Sequence, residues 1–432
     1  MRIIRQIHDN QFLRHNAVFF AGSIGVGALN YLYYPVLGRL LSPASFGEVQ
    51  TLVSIFLQLN IFLTVLSLVV VNIVTNTGSD KKRNELIIEF ERLALVVSFG
   101  ALVASLLLQG RLQSFLQFES AWPFSILALA MLVSVPFVLR GAVLRGKQRF
   151  GLMSAGNVIA AGAKIVFSSL LVVAGLGTIG AIGGIVLAQA AACLFVAFWA
   201  LRLGFKGETG ERKVRLPNIR LLRPELRYGA FVLLGSLAIT LQYSLDIVII
   251  KHYFDAHVAG LYAGVASVAR VVFFITASVP QVLISSVRMR PDAAKQNKTL
   301  LLRSAILLAA MGLPALLLLV LMPGLIMRLL MGDAYQAMSH LLPRLSTAIF
   351  IVSVLNLLSA YYLALRRYGI AIVSSIGVGL TYLLIFWHHG SPDAVVTSLL
   401  QGSIAMLCLS AAWIASSKLK EGSLWRARDS YR

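Results

Sequence analysis

The hydrophobic residues of this chain fall into long runs that are separated by short polar segments. A membrane-spanning helix needs about 20 mostly apolar residues, and twelve runs are long enough. They cover residues 17–37, 46–75, 86–108, 122–144, 152–174, 179–201, 228–250, 258–287, 300–321, 341–365, 368–388 and 394–416. The pattern predicts an all-α polytopic membrane protein with about twelve transmembrane helices.

The longest polar stretch divides these runs into two sets of six. It covers residues 204–227 and is rich in Arg and Lys. We therefore predict an N-terminal six-helix lobe over 1–203 and a basic cytoplasmic linker over 204–227. A C-terminal six-helix lobe over 228–416 and a cytoplasmic tail over 417–432 would complete the chain.

The positions of the basic residues predict the orientation of the helices. If the runs cross the membrane in strict alternation, 31 of the 38 Lys and Arg residues lie on the side of the N-terminus. Five lie on the opposite side, and Lys164 and Arg270 lie inside spans. Because Lys and Arg concentrate in cytoplasmic loops, this ratio supports twelve spans and predicts that both termini are cytoplasmic.

The two sets of six runs also resemble each other in sequence. A shift of 213 positions pairs Gly22 with Gly235, Ser23 with Ser236, Leu32 with Leu245, and Gly47 with Gly260. A second match, with a shift of 218, pairs residues 149–151 (RFG) with 367–369 (RYG). Each half has an even number of spans and so enters the membrane from the same side. The halves are therefore predicted to be parallel repeats, related by an axis along the membrane normal.

Composition and charge exclude several classes of protein. Only 13% of the residues are charged, about half the usual share in a soluble domain. The formal net charge of +21 comes mainly from short loops, so it indicates membrane topology and no nucleic-acid partner. Cys193 and Cys408 lie in apolar runs and have no metal-site spacing. No cleaved signal peptide is expected at the N-terminus.

The loops predicted to be external are short, which argues against an enzyme. Membrane glycosyltransferases, ligases and polymerases usually need a sizeable extramembrane loop or domain, whereas a transporter needs none. No Walker sequence is present, so ATP is not expected as the direct energy source. We expect no bound cofactor, with coupling to Na⁺ or H⁺ as a further possibility.

Four segments resemble a known family. Residues 37–49 (LGRLLSPASFGEV) and 245–270 (LDIVIIKHYFDAHVAGLYAGVASVAR) resemble the helix 1–2 and helix 7–8 regions of polysaccharide flippases. These proteins are the Wzx-type oligosaccharide flippases of the MOP superfamily. Residues 144–158 (LRGKQRFGLMSAGNV) look like the helix 4–5 turn of that family, and residues 322–338 (MPGLIMRLLMGDAYQAM) like its stretch before helix 10.

The resemblance implies two six-helix lobes that face each other around a central cavity. It implies a flippase that moves a lipid-linked oligosaccharide, a polyprenyl-phosphate-linked glycan, across the bacterial cytoplasmic (inner) membrane by alternating access. The implied partners are that lipid-linked glycan, membrane lipids, and the glycosyltransferases and polymerase of the same surface polysaccharide pathway. The MOP branch that flips peptidoglycan precursors usually has fourteen spans, so twelve favour the oligosaccharide branch.

A lipid diphosphate would need a cationic and hydrated path, so polar side chains within the spans are candidates for the substrate cavity. They are Lys164, Arg270, Arg39, Asp246, Asn60, Asn157 and Gln242.

Lys164 lies about twelve residues, or about 18 Å, into span five. A lysine can instead extend its ammonium group to the membrane surface, but this depth disfavours that interpretation. Arg270 lies equally deep in span eight. Its guanidinium could bind phosphate through two hydrogen bonds or pair with a carboxylate.

The remaining candidates have structural alternatives. Asp246 could pair with a cation, couple ion entry or balance the charge of Lys251, and pairing is favoured. Arg39 could contact substrate or anchor span one at the headgroups. The amides of Asn60, Asn157 and Gln242 could bind sugar hydroxyls or make hydrogen bonds between helices. Tyr31, Tyr33 and Tyr34 could stack on sugar rings, but they are predicted to be interfacial aromatics.

Three other functions are considered beside the flippase. A cation-coupled small-molecule exporter of the MATE type also has twelve spans, but it would favour acids in the cavity. A membrane polymerase or ligase would need a large external loop. A major-facilitator transporter usually has a Gly-and-Asp loop after span two, and residues 76–86 (NTGSDKKRNEL) differ from it.

Overall fold

The computed structural model describes residues 11–76, 79–147, 149–202, 219–287 and 294–429. Within these ranges the chain is almost entirely helical and contains no strand. The helices are α1 (Gln11–Leu40), α2 (Pro43–Asn76), α3 (Asp80–Leu116), α4 (Trp122–Gly146), α5 (Phe150–Leu171), α6 (Gly177–Arg202), α7 (Ile219–Tyr253), α8 (Ala256–Ala269), α9 (Ala294–Leu321), α10 (Leu342–Ala364), α11 (Gly369–Trp387) and α12 (Pro392–Asp429).

Shorter helical segments lie in three of the connections. A π-helical turn (Val172–Leu176) joins α5 to α6. Two segments, Val271–Thr276 and Ser278–Ser286, continue the direction of α8. A short helix (Pro323–Leu330) and a 3₁₀ segment (Asp333–Leu341) lie between α9 and α10.

Helices suit a membrane because each satisfies its own backbone hydrogen bonds. In the described residues, ten helical stretches are long and apolar enough to cross a membrane. One of them, Gly151–Trp199, has 49 residues, far more than one crossing needs. It is interrupted where Gly175 and Gly177 have positive φ, of 89° and 47°, and it contains two predicted spans. The first predicted span lies within α1, so the prediction of a polytopic all-α protein is confirmed.

Large apolar side chains remain exposed on the outer faces of the helices. On α3, Phe99 is 58% exposed and Leu107 is 79% exposed. On α9, Leu302 and Ile306 are 61% and 60% exposed. A soluble protein rarely exposes such continuous apolar surface, so we interpret these faces as contacts with lipid acyl chains.

The buried side chains form two comparable cores. In the first half, one core joins α2, α3 and α4 through residues such as Leu66, Phe90 and Val135. In the second half, the other core joins Leu283, Leu308 and Tyr362, with further residues of α10 and α11. Corresponding helices therefore build corresponding cores, as expected for two repeats.

The aligned glycines occupy equivalent positions in the two halves. A Cβ atom on Gly22 of α1 would lie 2.9 Å from the Cβ atom of Ser154 on α5. A Cβ atom on Gly235 of α7 would lie 3.3 Å from the Cβ atom of Ala371 on α11. The shift of 218 pairs Ser154 with residue 372, next to Ala371. The same helices thus cross at nearly the same residues in both halves.

Close packing divides the described chain into two compact units. The first takes residues up to Ala230, with Ile247–Val268 and Met327–Ala337. The second takes Phe231–Asp246, Ala269–Ile326 and the chain from Met338 onward. The units therefore differ from the predicted lobes, because two segments of the second half pack with the first half.

Two predicted boundaries also differ from the helix ends. Residues 204–218 of the predicted linker lie outside the described residues, but α7 begins at Ile219, inside the predicted range. Helix α12 continues through most of the predicted tail, to Asp429. Hydropathy marks the part of a helix suited to lipid, and a helix can extend beyond that part with polar residues.

Candidate functional site

The first polar centre lies between α1 and α5, and we call Asn30, Tyr33 and Lys164 the Lys164 centre. The Lys164 Nζ donates a hydrogen bond of 2.7 Å to Asn30 Oδ1. It also lies 4.4 Å from the centre of the Tyr33 ring, in reach of a cation–π interaction. No described carboxylate lies within ion-pair distance of Lys164. The ammonium group is therefore held inside the protein by neutral partners.

The spacing of residues on α1 and α5 explains this arrangement. Asn30 and Tyr33 are three positions apart and share one face of α1. Asn157 lies seven positions before Lys164, on nearly the same face of α5, and both side chains are partly buried. Tyr33 and Tyr34 are only 1% and 5% exposed. The prediction that they are interfacial aromatics is wrong, because both pack inside the helix bundle.

The second polar centre lies in the other compact unit, and we call Asp246, Arg270 and Tyr382 the Arg270 centre. The Arg270 Nη2 lies 2.7 Å from Asp246 Oδ1, and the two side chains are 2% and 3% exposed. The Arg270 Nε has no hydrogen-bond partner. Arg270 follows the last residue of α8, where the helix is interrupted. Its guanidinium is engaged by an acid, as the structural interpretation of the sequence predicts.

Neighbouring side chains in this second unit add polar contacts. The Tyr382 hydroxyl donates a hydrogen bond of 2.6 Å to the backbone oxygen of Leu241. One turn before Asp246, the Gln242 Nε2 donates to Ser403 Oγ at 3.0 Å, while the Gln242 Oε1 has no partner. Gln242 therefore makes a hydrogen bond between helices, as its structural alternative predicts.

The two other candidates, Arg39 and Asn60, donate hydrogen bonds to backbone oxygens. Arg39, at the end of α1, is exposed and donates to the backbone oxygens of Leu330, at 3.3 Å, and Leu329. These carbonyls end the short helix Pro323–Leu330, a favourable place for a cation. Asn60 donates to the backbone oxygen of Phe56, one turn earlier in α2, at 3.2 Å.

A third polar cluster was missed by the sequence analysis. Glu48, near the start of α2, is 5% exposed. Its Oε1 accepts a hydrogen bond of 2.8 Å from the backbone N–H of Glu119, and its Oε2 accepts one of 2.9 Å from Thr178 Oγ1. Only the rarity of an acid close to an apolar run could have singled out Glu48.

Lys251 belongs to the same cluster although it lies just beyond the predicted span 228–250. It is fully buried. Its Nζ donates to the backbone oxygen of Gln117 at 3.1 Å and lies 5.3 Å from the centre of the Phe118 ring. It also interacts electrostatically with Glu48. This cluster joins the end of α7 to the connection between α3 and α4.

The described residues were also compared with the ligand sets of metal sites. No group of three or more His, Cys, Asp or Glu side chains there is arranged to hold a metal ion. The chemistry available at the two deep centres is therefore electrostatic attraction and hydrogen bonding.

Comparison with known proteins identifies the family. Residues 36–340 match the family described as "Polysaccharide biosynthesis protein", which is more than half of the chain. A search of curated protein sequences gives no match.

Solved structures with the same fold are transporters and flippases. A multidrug resistance MATE family transporter of the MOP superfamily, inward-facing, has a TM-score of 0.70 at 14% identity, over 91% of this chain and 96% of the other. The lipid II flippase MurJ, in an inward closed conformation, has a TM-score of 0.71 at 12% identity, over 92% of this chain and 87% of the other. A MOP superfamily transporter from Pyrococcus furiosus, described as having a binding pocket of reversed polarity, has a TM-score of 0.62 at 14% identity, over 94% of this chain and 96% of the other.

The sequence resemblance and the structural comparison agree. The matched region includes the 37–49, 144–158, 245–270 and 322–338 segments on which the resemblance was based. At these low identities the solved structures establish the fold, and the family match covers most of the chain. The chain therefore belongs to the polysaccharide biosynthesis protein family and has the fold of the MOP superfamily transporters.

Proposed function

We propose that this protein is a flippase that moves a polyprenyl-phosphate-linked oligosaccharide across the cytoplasmic membrane by alternating access. The observation that carries the proposal is the Lys164 centre. A cation deep in a membrane helix is costly and usually functional. In the part of the chain that the structure describes, no acid within ion-pair distance of Lys164 offsets this cost, and its contacts Asn30 and Tyr33 are neutral.

The charge of Lys164 matches the chemistry of the proposed substrate. A diphosphate at the head of a lipid carries about two negative charges that must pass through a region of low dielectric. At an effective dielectric constant of 20, two unit charges 4 Å apart attract by about 4 kcal/mol. An ammonium group with neutral neighbours keeps this attraction available for an incoming phosphate. Asn157, on the same face of α5, could hydrogen-bond the adjoining sugar.

The rest of the proposal concerns orientation, partners and energy. We place the protein in the bacterial cytoplasmic membrane with both termini in the cytoplasm, as the distribution of Lys and Arg favours. The substrate would come from glycosyltransferases and pass to a polymerase of the same pathway. Coupling to Na⁺ or H⁺ is the proposed energy source, and transport without chemical change of the substrate is the proposed activity.

Export of cationic drugs, as by MATE transporters, is less well supported. Such an exporter would need an acid available to the substrate. Asp246 is the acid of the deep centres, and it pairs with Arg270 at 2.7 Å. Lys164, which has no described acid within ion-pair distance, carries the opposite charge to the acid that such an exporter would need.

The experiment replaces Lys164 by Met in the chromosome of the native host. Removing the charge while keeping the length of the side chain should lower surface polysaccharide at least about a hundredfold, the effect of losing about 3 kcal/mol of interaction. Lipid-linked oligosaccharide should accumulate in the inner leaflet, and the amount of the variant in the membrane should stay the same.

Two controls accompany this variant. Lys164→Arg keeps the charge and should retain part of the transport. Asn60→Leu changes a polar group that bonds only within its own helix, and it should have little effect. Normal surface polymer from the Lys164→Met strain would contradict the proposal.

A further inference from the structure

The most unusual buried polar groups of the first compact unit lie on α2. Gln50 is fully buried, and neither its Oε1 nor its Nε2 has a hydrogen-bond partner. Ser54 is also fully buried, and its Oγ has no partner. The two residues are four positions apart, so their side chains are neighbours on one face of the helix. Buried polar groups without partners are rare in native proteins and ask for an explanation.

The same face of α2 carries a close helix contact one turn earlier. A Cβ atom on Gly47 would lie 2.9 Å from the Cα atom of Gly260 on α8. A Cβ atom on Gly260 would lie 1.8 Å from the backbone oxygen of Pro43. Gly47 and Gly260 are also equivalent in the two repeats. Equivalent residues meet where the axis relating the repeats passes, so α2 and α8 are packed together at that axis.

The equivalent positions of the second half carry no unpaired polar groups like those of Gln50 and Ser54. The shift of 213 pairs Gln50 with Ala263, which is apolar, and Ser54 with Ser267. The Ser267 Oγ donates a hydrogen bond of 2.7 Å to the backbone oxygen of Ala263 in its own helix. The second half therefore fills the equivalent positions with groups that need no outside partner. The unpaired groups are specific to α2.

We infer that Gln50 and Ser54 form a subsite for sugar hydroxyl groups, which is hidden when α2 and α8 are packed and becomes accessible when they separate. Alternating access requires helices that pack in one state to part in the other. An amide and a hydroxyl together offer the donors and acceptors that sugar hydroxyls need. This inference rests on the proposed function, because it assigns the glycan part of the same substrate.

Binding to lipids with and without sugars tests the subsite. The melting temperature of the purified full-length protein is measured with lipid-linked oligosaccharides extracted from the native host, or with bare polyprenyl diphosphate. A lipid that binds the folded protein raises this temperature, and the rise reports apparent binding. Gln50→Leu should weaken apparent binding of the sugar-bearing lipids about tenfold, while bare polyprenyl diphosphate binds as it does to the wild type. Ser54→Ala should act in the same direction with a smaller effect.

Thr51→Val is the matched control. Thr51 is as buried as Gln50, but its Oγ1 already donates to the backbone oxygen of Gly47 at 2.8 Å, so binding should stay within about twofold of the wild type. Without any lipid, Gln50→Leu should raise the melting temperature, because it removes unpaired polar atoms from a buried site. A lower melting temperature would indicate that Gln50 holds a structural water, and it would overturn the inference.

Cysteine labelling tests the accessibility separately. Replacing Cys193 and Cys408, the only two cysteines, by Ser gives a background for Gln50→Cys. A small water-soluble maleimide should label this variant several times faster while the protein transports its lipid-linked substrate than in the absence of substrate. Equal labelling rates would overturn the inference.

The outcomes separate this inference from the proposed function. If neither lipid stabilises the wild type, the proposed function fails and the subsite fails with it. If both lipids bind and Gln50→Leu binds both as the wild type does, only the subsite is wrong.

Discussion

The Lys164 centre and the Arg270 centre occupy equivalent positions in the two repeats but differ in charge. The shift of 213 pairs Tyr33 with Asp246, and the shift of 218 pairs Lys164 with Tyr382. The contacts agree with this pairing. Lys164 bonds to α1 at Asn30, and Tyr382 bonds to α7 at Leu241, two positions from the counterpart of Asn30. In the second half, the ion pair between Arg270 and Asp246 lies beside a neutral hydroxyl.

On the proposed function, this difference would give the two halves different roles. Each half keeps the same helix crossings, so the scaffold did not need to change. In the second half, the buried arginine is balanced by an acid at 2.7 Å, and the pair presents little net charge. In the first half, Lys164 is partly buried, and the groups it contacts, Asn30 and Tyr33, are neutral. If the substrate is the proposed lipid phosphate, we expect it to be attracted to the first half, and we expect the ion pair of the second half to act mainly in maintaining the structure.

Breaking the ion pair should have the largest effect on stability. Arg270→Met removes the cation that lies 2.7 Å from the buried Asp246 carboxylate, and the loss of one member of a buried ion pair usually costs about 3–5 kcal/mol. The double variant Arg270→Met with Asp246→Leu removes both charges and should recover most of that loss. Thermal unfolding of the purified variants in detergent measures both values.

The stability of Lys164→Met is compared with that of Arg270→Met, to test whether the two centres differ in charge balance. It removes a buried charge that has no paired acid, so its stability should equal or exceed that of the wild type. If Lys164→Met and Arg270→Met lose stability equally, the two centres do not differ in the way that we describe.

Placing an acid in the first half should convert the Lys164 centre into one like the Arg270 centre. Tyr33→Asp introduces the residue that the second repeat has at the equivalent position. In the wild type, the Lys164 Nζ lies 4.4 Å from the centre of the Tyr33 ring, so the new carboxylate would lie near the ammonium group. The new ion pair should compete with the phosphate, and transport should fall about tenfold below that of Tyr33→Asn, or about 1.4 kcal/mol.

Tyr33→Asn is the necessary control because it leaves the same cavity without the charge. Flipping can be measured in liposomes, as protection of the lipid-linked glycan from an added glycosidase. Equal transport by the two variants would show that the charge at Lys164 does not act on the substrate.

Much of this fold could be predicted from the sequence because hydropathy reports membrane burial directly. The apolar runs located the helices, and the matching glycines revealed the repeats, since glycine is retained where helices cross closely. The ends of α7 and α12 were missed because polar residues can extend a helix beyond the apolar part. The packing of Ile247–Val268 with the first half was also missed, because hydropathy contains no information on which helices pack together.

The polar centres were only partly predictable. Depth within a span singled out Lys164 and Arg270, but their partners lie on other helices, 134 and 24 positions away in sequence. Glu48 was missed because its partners are a backbone N–H and a threonine hydroxyl, neither of which leaves a charge signal in the sequence. Tyr33 was misjudged because an aromatic near the end of a span usually lies at the interface, whereas this one packs beside a buried ammonium group.

The smallest expected effect compares the glycines that mark the repeat. A Cβ atom on Gly22 would lie 2.9 Å from both the Cβ and the Oγ of Ser154, whereas one on Gly235 would first meet the Cδ1 of Leu363, at 3.1 Å. The end of a leucine side chain can move more easily than a Cβ atom. Gly22→Ala should therefore cost about 1–2 kcal/mol of stability through overpacking, and Gly235→Ala should cost less.

Gly25→Ala provides the reference for this comparison, because no atom lies within 4 Å of a Cβ there. Since alanine favours a helix over glycine by about 1 kcal/mol, this variant should be neutral or more stable than the wild type in thermal unfolding. The order of stability should then be Gly25→Ala, Gly235→Ala and Gly22→Ala, from highest to lowest. If Gly235→Ala proved the least stable of the three, the crossing of α7 with α11 would be the tighter one. Any difference in role between the halves would then come from their charges and not from closer packing of α1 against α5.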